Sequence, residues 1–238
     1  MSTATCKRCG AEFEFEVPDA VPASIVFRPP VCSACDAALD AERLEEEAAD
    51  ARSRARETSN VPQRYWEHGF ESFRPHTRSQ RDALRICREC AMAGVYLSGK
   101  PGCGKTHLAA AAIIAAPPGS LFVGIAELLD DIKAGFDGAG RRLFARAQHA
   151  PLLAIDDLGI AAVTGFSLDR IYTLLNVRWN AGLPLIVTTN CPPEVMVERI
   201  GPGATSRVIG LCAERLEVTG PDGRANPAAR LPGLEKAR

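Results

Sequence analysis

Residues 99–106 read Gly-Lys-Pro-Gly-Cys-Gly-Lys-Thr, which matches the G-x-x-x-x-G-K-T pattern of a phosphate-binding loop. The apolar run from Gly94 to Ser98 precedes this motif and predicts a buried parallel strand. The alanine-rich run after the motif predicts a helix that ends before Pro117-Pro118-Gly119. A strand before the pattern and a helix after it are the context in which it binds phosphate. The alternative is a glycine-rich turn that binds nothing, and the flanking segments favour the phosphate site.

The residue types in this motif suit a triphosphate and its metal. Gly102 and Gly104 give the backbone torsions that point successive N–H groups at phosphate oxygens. Lys105 is placed to reach the β- and γ-phosphates, and the hydroxyl of Thr106 to hold Mg²⁺. The side chain of His107 is expected to pack or to cap the helix rather than to catalyse. The predicted nucleotide contacts are Gly99, Pro101, Gly102, Cys103, Gly104, Lys105, Thr106 and His107.

The size and charge of the chain limit its possible functions. At 238 residues the chain fits one medium domain with a small appendage. A formal net charge of −1 gives no strong basic field, so any contact with DNA needs a local patch or several subunits. No apolar run approaches the ~20 residues that a membrane helix needs, and the first residues lack the features of a signal peptide. We therefore expect a cytoplasmic protein with no membrane contact.

The N-terminal region carries two pairs of cysteines, Cys6-x-x-Cys9 and Cys32-x-x-Cys35. Each pair places two thiolates on one tight turn, and two such turns facing each other form a closed tetrahedral zinc site. So short a region buries too little surface to fold alone, and metal binding would supply the missing free energy. Residues 1–36 are therefore predicted to be a structural zinc module, in which the apolar residues between the pairs add a small β-ribbon. A redox pair of thiols and a disordered tail are the alternatives.

The composition changes after Asp36 to a run of Ala, Glu, Asp and Arg with only a thin apolar stripe. Residues 37–60 are therefore predicted to be a solvated helical linker, with a short coiled-coil contact as the alternative. The remaining residues, 61–238, would form the domain that carries the phosphate loop. Residues 64–75 are rich in aromatic side chains, which either wall an adenine site or pack against the edge of the sheet.

Two further apolar runs end in polar residues that suit a nucleotide site. Residues 151–155 lead to Asp156 and Asp157, and residues 184–187 lead to Thr188-Thr189-Asn190. Asp156 is placed to orient Mg²⁺ or its water, and Asp157 to accept a proton from the attacking water. Asn190 is placed to hydrogen-bond that water or the γ-phosphate. The alternative for the two carboxylates is a turn with two solvated acids.

Four stretches together resemble the DnaC/DnaI/IstB group of AAA+ ATPases. They are Gly-Lys-Pro-Gly-Cys-Gly-Lys-Thr-His-Leu-Ala, Leu-Leu-Ala-Ile-Asp-Asp-Leu-Gly, Ile-Val-Thr-Thr-Asn and Thr-Gly-Pro-Asp-Gly-Arg. The resemblance covers about Val61 to Arg224, that is, the AAA+ ATPase domain proposed for residues 61–238. It implies an α/β P-loop core with a five-stranded parallel sheet in the order 5-1-4-3-2. It also implies that no helical lid follows the last strand.

The resemblance also implies roles for single residues. Asn190 would be sensor 1, Arg207 the arginine finger that reaches a neighbouring subunit's nucleotide, and Arg224 a sensor-2 arginine. The run Arg141–Arg146 falls where this group carries an extra helix for single-stranded DNA, although a solvated helix face is the other reading. The predicted catalytic set is Lys105, Asp156, Asp157, Asn190, Arg207 and Arg224.

Within this group the cysteine pairs favour a loader of the replicative, DnaB-type DNA helicase over an IstB-like transposition helper. Such a loader would bind ATP, Mg²⁺ and Zn²⁺, and would assemble as a homo-oligomer on single-stranded DNA. Asp157 stands where related ATPases usually carry Glu, so ATP hydrolysis is predicted to be slow and to be stimulated by DNA or a partner. A third reading is an adaptor that binds ATP and barely hydrolyses it.

Overall fold

A computed structural model describes residues 2–15, 31–89, 91–133, 139–159 and 165–223 of the chain. The chain divides into two compact units, Met1–Ala51 and Arg52–Arg238. The division falls within the first helix, α1 (Ser33–Thr58), which covers most of the predicted linker.

The first unit begins with a two-stranded hairpin. Strands β1 (Ser2–Thr5) and β2 (Glu12–Phe15) pair antiparallel, and the loop between them contains the first cysteine pair. The loop turns at Gly10, whose φ of +76° is one that glycine adopts readily. The second cysteine pair lies at the beginning of α1. The ribbon predicted between the two pairs falls mostly on residues 16–30, outside the described residues.

The second unit contains a five-stranded parallel sheet. In chain order its strands are β3 (Val95–Ser98), β4 (Leu121–Gly124), β5 (Leu153–Asp156), β6 (Leu185–Thr189) and β7 (Glu214–Glu217). The strands lie in the order β4-β5-β6-β3-β7, and all neighbouring strands run parallel. Counted from β3 as strand 1, this is the order 5-1-4-3-2. The sheet predicted from the sequence is therefore confirmed.

Helices cover both faces of this sheet. They are α2 (Arg78–Glu89), α3 (Lys105–Ala115), α4 (Ile125–Lys133), α5 (Ala139–His149), α6 (Gly165–Ala181) and α7 (Pro193–Leu211). Side chains alternate along β3, so that Tyr96 packs with α4–α7 on one face while Val95 and Leu97 pack with α2 and α3 on the other. Two apolar layers therefore hold the strands in place, and their carboxyl ends share one edge.

Helix α2 extends to Glu89, and a short 3-10 turn follows at Ala91–Ala93. Cys87 is buried in the apolar layer, and burial raises the pKa of its thiol to about 12. It is therefore a core thiol, whereas Cys90 lies outside the described residues.

Helix α7 bends at Gly201-Pro202. Gly201 has φ +80° and ψ 160°, which are not helical torsions, and Pro202 has no N–H to donate to the preceding turn. The helix then continues to Leu211, close to the amino end of β7. The second half of α7 carries Arg207.

A buried arginine joins three elements of the second unit. Arg178 of α6 is 0% exposed, and its Nη1 donates to the carbonyl oxygens of Ala147 and Ala150, each at 2.9 Å. Its Nη2 donates to the carbonyl oxygen of Pro184, just before β6. Burial lowers the pKa of Arg178 to about 10, so the side chain is still charged at neutral pH. Arg178 thereby ties the end of α5 to α6 and β6.

Two further sequence predictions concern membrane-spanning helices and a helical lid after the last strand. Among the described residues, no helix combines the length and the apolar character that crossing a bilayer requires. The description ends at Gly223, so the predicted lack of a helical lid falls on residues 224–238 and stays a prediction.

Candidate nucleotide site

The phosphate-loop motif connects β3 to α3 at the carboxyl edge of the sheet. The φ angles of Gly99, Gly102 and Gly104 are +143°, +81° and +100°. Residues that carry a side chain rarely adopt such angles. Gly104 also lies against the ring of Phe73, since a Cβ atom on Gly104 would be 2.5 Å from Cε2 of that ring. This loop therefore needs glycine both for its torsions and for its space.

The ammonium group of Lys105 holds the loop together. Lys105 is 5% exposed, and its Nζ donates to the carbonyl oxygens of Gly99 and Lys100 at 2.8 and 2.9 Å. Nζ also donates to Oδ1 of Asn190 at 3.0 Å. Asn190 follows β6, whose last residue Thr189 pairs with Ser98 at the end of β3. The parallel register thus brings together two residues that the sequence had assigned to one site.

A second polar contact joins Thr106 to Asp156. The Thr106 hydroxyl donates to Oδ1 of Asp156 at 2.9 Å, and the hydroxyl of Thr188 donates to the same oxygen. Two neighbouring oxygen ligands of an octahedral Mg²⁺ at ~2.05 Å lie about 2.9 Å apart. The spacing of Thr106 and Asp156 therefore fits two ligands of one Mg²⁺.

Burial sets the charge behaviour of Asp156. The residue is 9% exposed, and burial raises the pKa of its carboxyl, while the hydrogen bond from Thr188 acts in the opposite direction. A bound cation would favour the ionised carboxylate, because metal ligands of this type must be deprotonated.

Asp157 faces solvent rather than the protein. Its φ of +60° is uncommon for a residue other than glycine, and its N–H donates to the hydroxyl of Thr188 at 3.0 Å. This sharp turn at the end of β5 separates the two neighbouring acids, with Asp156 buried and Asp157 exposed. An exposed carboxylate at this position can accept a proton from a neighbouring water molecule.

The aromatic segment 64–75 lies against the beginning of α3. Nε2 of His107 is 3.1 Å from the carbonyl oxygen of Gly69, and the His107 ring contacts the rings of His68 and Phe73. Burial lowers the pKa of His107, so it is neutral at physiological pH. These contacts make His107 a packing residue beside the phosphate loop, and its predicted contact with nucleotide stays a prediction.

The structure describes the side chain of Arg207 and part of the Arg141–Arg146 run, but not Arg224. Nε of Arg207 donates to Oδ1 of Asn176 at 2.9 Å, and its guanidinium lies 4.3 Å from the ring centroid of Tyr172 on α6. Arg146 donates to the carbonyl oxygen of Thr58. Arg224 and the side chain of Arg141 lie outside the described residues.

The four N-terminal cysteines form a cluster in the first unit. The sulfur atoms of Cys6, Cys9, Cys32 and Cys35 all lie within 4.8 Å of one another. Sγ of Cys9 is 3.8 Å from Sγ of Cys32, and two sulfurs bound to a tetrahedral zinc at ~2.3 Å are separated by about 3.8 Å. Hydrogen bonds from the backbone at Cys9 and Cys32 lower the pKa of the Cys6 thiol to about 6. The cluster therefore fits a structural Zn²⁺.

Sequence reasoning missed two residues of the site. The motif Thr188-Thr189-Asn190 does not by itself indicate a role for Thr188, yet its hydroxyl contacts both Asp156 and Asp157. Gln80 received no role, although its side-chain amide donates to the carbonyl oxygen of Cys103 at 3.0 Å. The spacing Thr77-x-x-Gln80 is the available signal for Gln80, because it is typical of a helix-capping pair.

Comparison with known sequences gives distant relatives. No protein-family model matches the chain. The replicative helicase loader DnaC of Escherichia coli K12 is 26% identical over 151 residues, which cover 58% of this chain and 62% of DnaC. The phage-like element PBSX protein XkdC of Bacillus subtilis is 26% identical over 181 residues, 67% of each chain. The match thus spans less than two thirds of the length of DnaC.

Comparison with solved structures supports the same group. The crystal structure of the DnaC helicase loader has a TM-score of 0.58 and 25% identity, and covers 66% of this chain and all of that one. The structure of DnaI has a TM-score of 0.58 and 22% identity, over 70% of this chain and 95% of that one. The initiator DnaA bound to AMPPCP and single-stranded DNA has a TM-score of 0.56 and 16% identity, over 68% of this chain and 52% of that one.

The five-stranded parallel sheet, with a phosphate-loop motif at its carboxyl edge, is the fold that this chain shares with the DnaC helicase loader and with other proteins of the AAA+ class. Within that class, the resemblance to the DnaC and DnaI helicase loaders that the sequence motifs predicted is confirmed.

The cysteine cluster predicts a zinc content of one ion per chain. Cys9→Ser and Cys32→Ser should each reduce this content to near zero, because a thiolate ligand is lost from a four-ligand site. Elemental analysis of the purified protein measures it. Cys191→Ser is the matched control, since Cys191 lies outside the cluster, and it should keep its zinc. Retention of zinc after both cluster substitutions would contradict the assignment.

The burial of Asp156 predicts opposite effects of Asp156→Asn on stability and turnover. Because the pKa is raised in the folded chain, the folded chain loses stability as the pH rises from the ordinary pKa of a carboxyl to the folded-state pKa of Asp156, and the full loss persists at higher pH. Asn keeps an oxygen that accepts from Thr106 and Thr188, so in metal-free buffer at pH 7.5 the variant should melt at the same temperature or higher. Hydrolysis of Mg²⁺-ATP should fall about 100-fold because a metal ligand is lost.

Thermal melting and phosphate release measure the two effects. The difference in melting temperature should shrink as the pH falls and Asp156 becomes protonated. A variant that melts below the wild type at pH 7.5, or that hydrolyses ATP at the wild-type rate, would show that Asp156 has another role.

Proposed function

We propose that this chain is an ATP-dependent loader of a replicative DNA helicase. The observation that carries the proposal is the cluster of Lys105, Asn190, Thr106 and Asp156 on a DnaC-like fold. The relatives named replicative helicase loader support the choice of partner. Because the match covers 62% of DnaC, the partner and the activity are proposals for this chain.

The nucleotide would be held by the phosphate loop. Backbone N–H groups of residues 102–106 and the positive end of α3 would bind the β-phosphate, and Lys105 would neutralise charge on the β- and γ-phosphates. Thr106 and Asp156 would hold Mg²⁺, which would supply further positive charge to the same phosphates. The DnaA neighbour, which shares the fold, was solved with the ATP analogue AMPPCP.

Asn190 and Asp157 would act at the γ-phosphate. Lys105 has three N–H donors, and its Nζ already lies within hydrogen-bond distance of four acceptors, namely the carbonyl oxygens of Gly99 and Lys100, Oδ1 of Asn190 and Sγ of Cys103. A γ-phosphate next to Lys105 would therefore compete with Asn190, which links the state of the nucleotide to the end of β6. Asp157 would accept a proton from the attacking water, and its short side chain supports slow hydrolysis.

Arg207 would act on the nucleotide of a neighbouring subunit. It lies four residues before Leu211, or about 6 Å along the axis of α7. Leu211 contacts Gly94 just before β3, at the amino edge of the sheet. The phosphate loop lies at the opposite, carboxyl edge, and the described contacts of the Arg207 side chain are with Asn176, Gly203 and Tyr172. A homo-oligomer would place it at the site next door.

DNA binding and the zinc module complete the proposal. Helix α5 would contact single-stranded DNA through Arg142 and Arg146, and the DnaA neighbour was solved with such DNA. The cysteine cluster would hold the module that grips the helicase. ATP would then stabilise the assembly on DNA, and hydrolysis would release the partner. Low intrinsic hydrolysis, which the short side chain of Asp157 favours, would instead suit an ATP-binding adaptor.

The role of Arg207 in a neighbouring site predicts complementation. Arg207→Ala and Lys105→Ala should each abolish most DNA-stimulated ATP hydrolysis, because each removes one half of a shared site. A mixture of the two variants should recover activity, since some interfaces then combine an intact loop with an intact arginine. Phosphate release from the separate and mixed proteins measures this. A mixture that is no more active than its components would contradict the role.

Partner binding separates the loader from the transposition helper. We expect the tagged full-length chain with ATP to retain the replicative helicase of the same genome, and not its IstB-associated transposase. Cys9→Ser should lose the helicase if the zinc module grips it, and Cys191→Ser should retain it. Retention of the transposase in place of the helicase would establish the alternative function.

A further inference from the structure

We infer that Gln80 is a positioning residue that fixes the phosphate loop from outside the motif. The inference rests on the proposed nucleotide site and deepens it. Gln80 is 4% exposed, and Nε2 donates to the carbonyl oxygen of Cys103, within the loop, at 3.0 Å. Sequence reasoning assigned no function to this residue.

The other end of the Gln80 amide is also fully engaged. Oε1 accepts from the backbone N–H of His76 at 2.8 Å and from that of Thr77 at 3.2 Å. The hydroxyl of Thr77 in turn accepts from the backbone N–H of Gln80 at 3.2 Å. This reciprocal cap at the start of α2 fixes which amide atom faces the loop. The oxygen is committed to the cap, so Nε2 is the atom directed at Cys103.

The contact with Cys103 determines where an N–H group of the loop points. In a planar trans peptide the C=O and the following N–H point in opposite directions. A carbonyl of Cys103 held toward Gln80 therefore directs the N–H of Gly104 to the opposite side. The N–H groups at 103 and 104 belong to the set that would bind phosphate.

A second contact fixes the preceding peptide group in the same way. The N–H of Gly223 donates to the carbonyl oxygen of Gly102 at 3.1 Å, which directs the N–H of Cys103. The segment that leads to Gly223 is itself attached to α2, since the backbone N–H of Thr219 donates to the Ser79 hydroxyl at 3.0 Å. Gly220 packs directly on Gln80, because a Cβ atom on Gly220 would lie 2.5 Å from Nε2. Two consecutive N–H groups of the loop are thus oriented from outside it.

Gln80→Glu tests this inference. The carboxylate keeps the oxygen that caps α2 but removes the donor to Cys103, so the Gly104 peptide loses its restraint. The Kd and the KM for Mg²⁺-ATP should each rise about tenfold, the effect of weakening one hydrogen bond to a charged group. The kcat should stay within about twofold, because the N–H groups bind the ground state and the transition state alike.

Gly220→Ala is an independent second variant. Its new methyl group would lie 2.5 Å from Nε2, 2.8 Å from Cδ and 3.1 Å from Oε1 of Gln80, so it should displace the amide from Cys103 and raise the KM in the same direction. Thr77→Ala is the control for the cap, because it removes the acceptor of the Gln80 N–H and the bond from the Thr77 hydroxyl to the carbonyl oxygen of Thr219 but leaves the Gln80 amide. It should lower the melting temperature and raise the KM less than Gln80→Glu does.

Isothermal titration and steady-state hydrolysis with the full chain measure these effects. Unchanged Kd and KM in both Gln80→Glu and Gly220→Ala would overturn the inference. So would a Thr77→Ala variant whose KM rises as much as that of Gln80→Glu. If the wild type does not bind Mg²⁺-ATP, or binds it as Lys105→Ala does, the proposed function itself fails.

Discussion

The hydrogen bond between Lys105 and Asn190 is the contact on which the site depends. It joins the residue that begins α3 to the residue that follows β6, and β6 lies beside β3 in the sheet. Parallel pairing makes these ends meet at one edge, and the buried apolar layers on both faces keep the strands in register. The polar site is therefore a consequence of how the apolar strands pair. The ammonium group then holds the first half of the phosphate loop through two carbonyl oxygens.

The sheet order, the phosphate loop and the cysteine cluster could be predicted because each depends on a local sequence pattern or on the order of the strands. The glycine pattern, the apolar runs and the polar strand ends are visible in the sequence, and with the family resemblance they predicted the sheet order and assigned Lys105 and Asn190 to one site. The cysteine spacing gave the thiol cluster in the same way. In each case a short stretch of chain contains most of the information.

The remaining features depend on contacts between distant residues. Gln80 reaches the loop only because α2 packs beside α3, and Thr188 contacts two acids because β5 and β6 are adjacent. Arg178 is a charged residue in an apolar layer, where neutral carbonyl groups surround it. Residue type and spacing along the chain do not specify such partners.

A crystal structure of the full chain with AMPPCP and Mg²⁺ tests the central claim most directly. The account predicts that the β-phosphate lies against the N–H groups of residues 102–106 and that Nζ of Lys105 contacts the β- and γ-phosphates. It further predicts Mg²⁺ beside Thr106 and Asp156. A nucleotide bound elsewhere, or a metal that contacts neither of these two residues, would contradict the account.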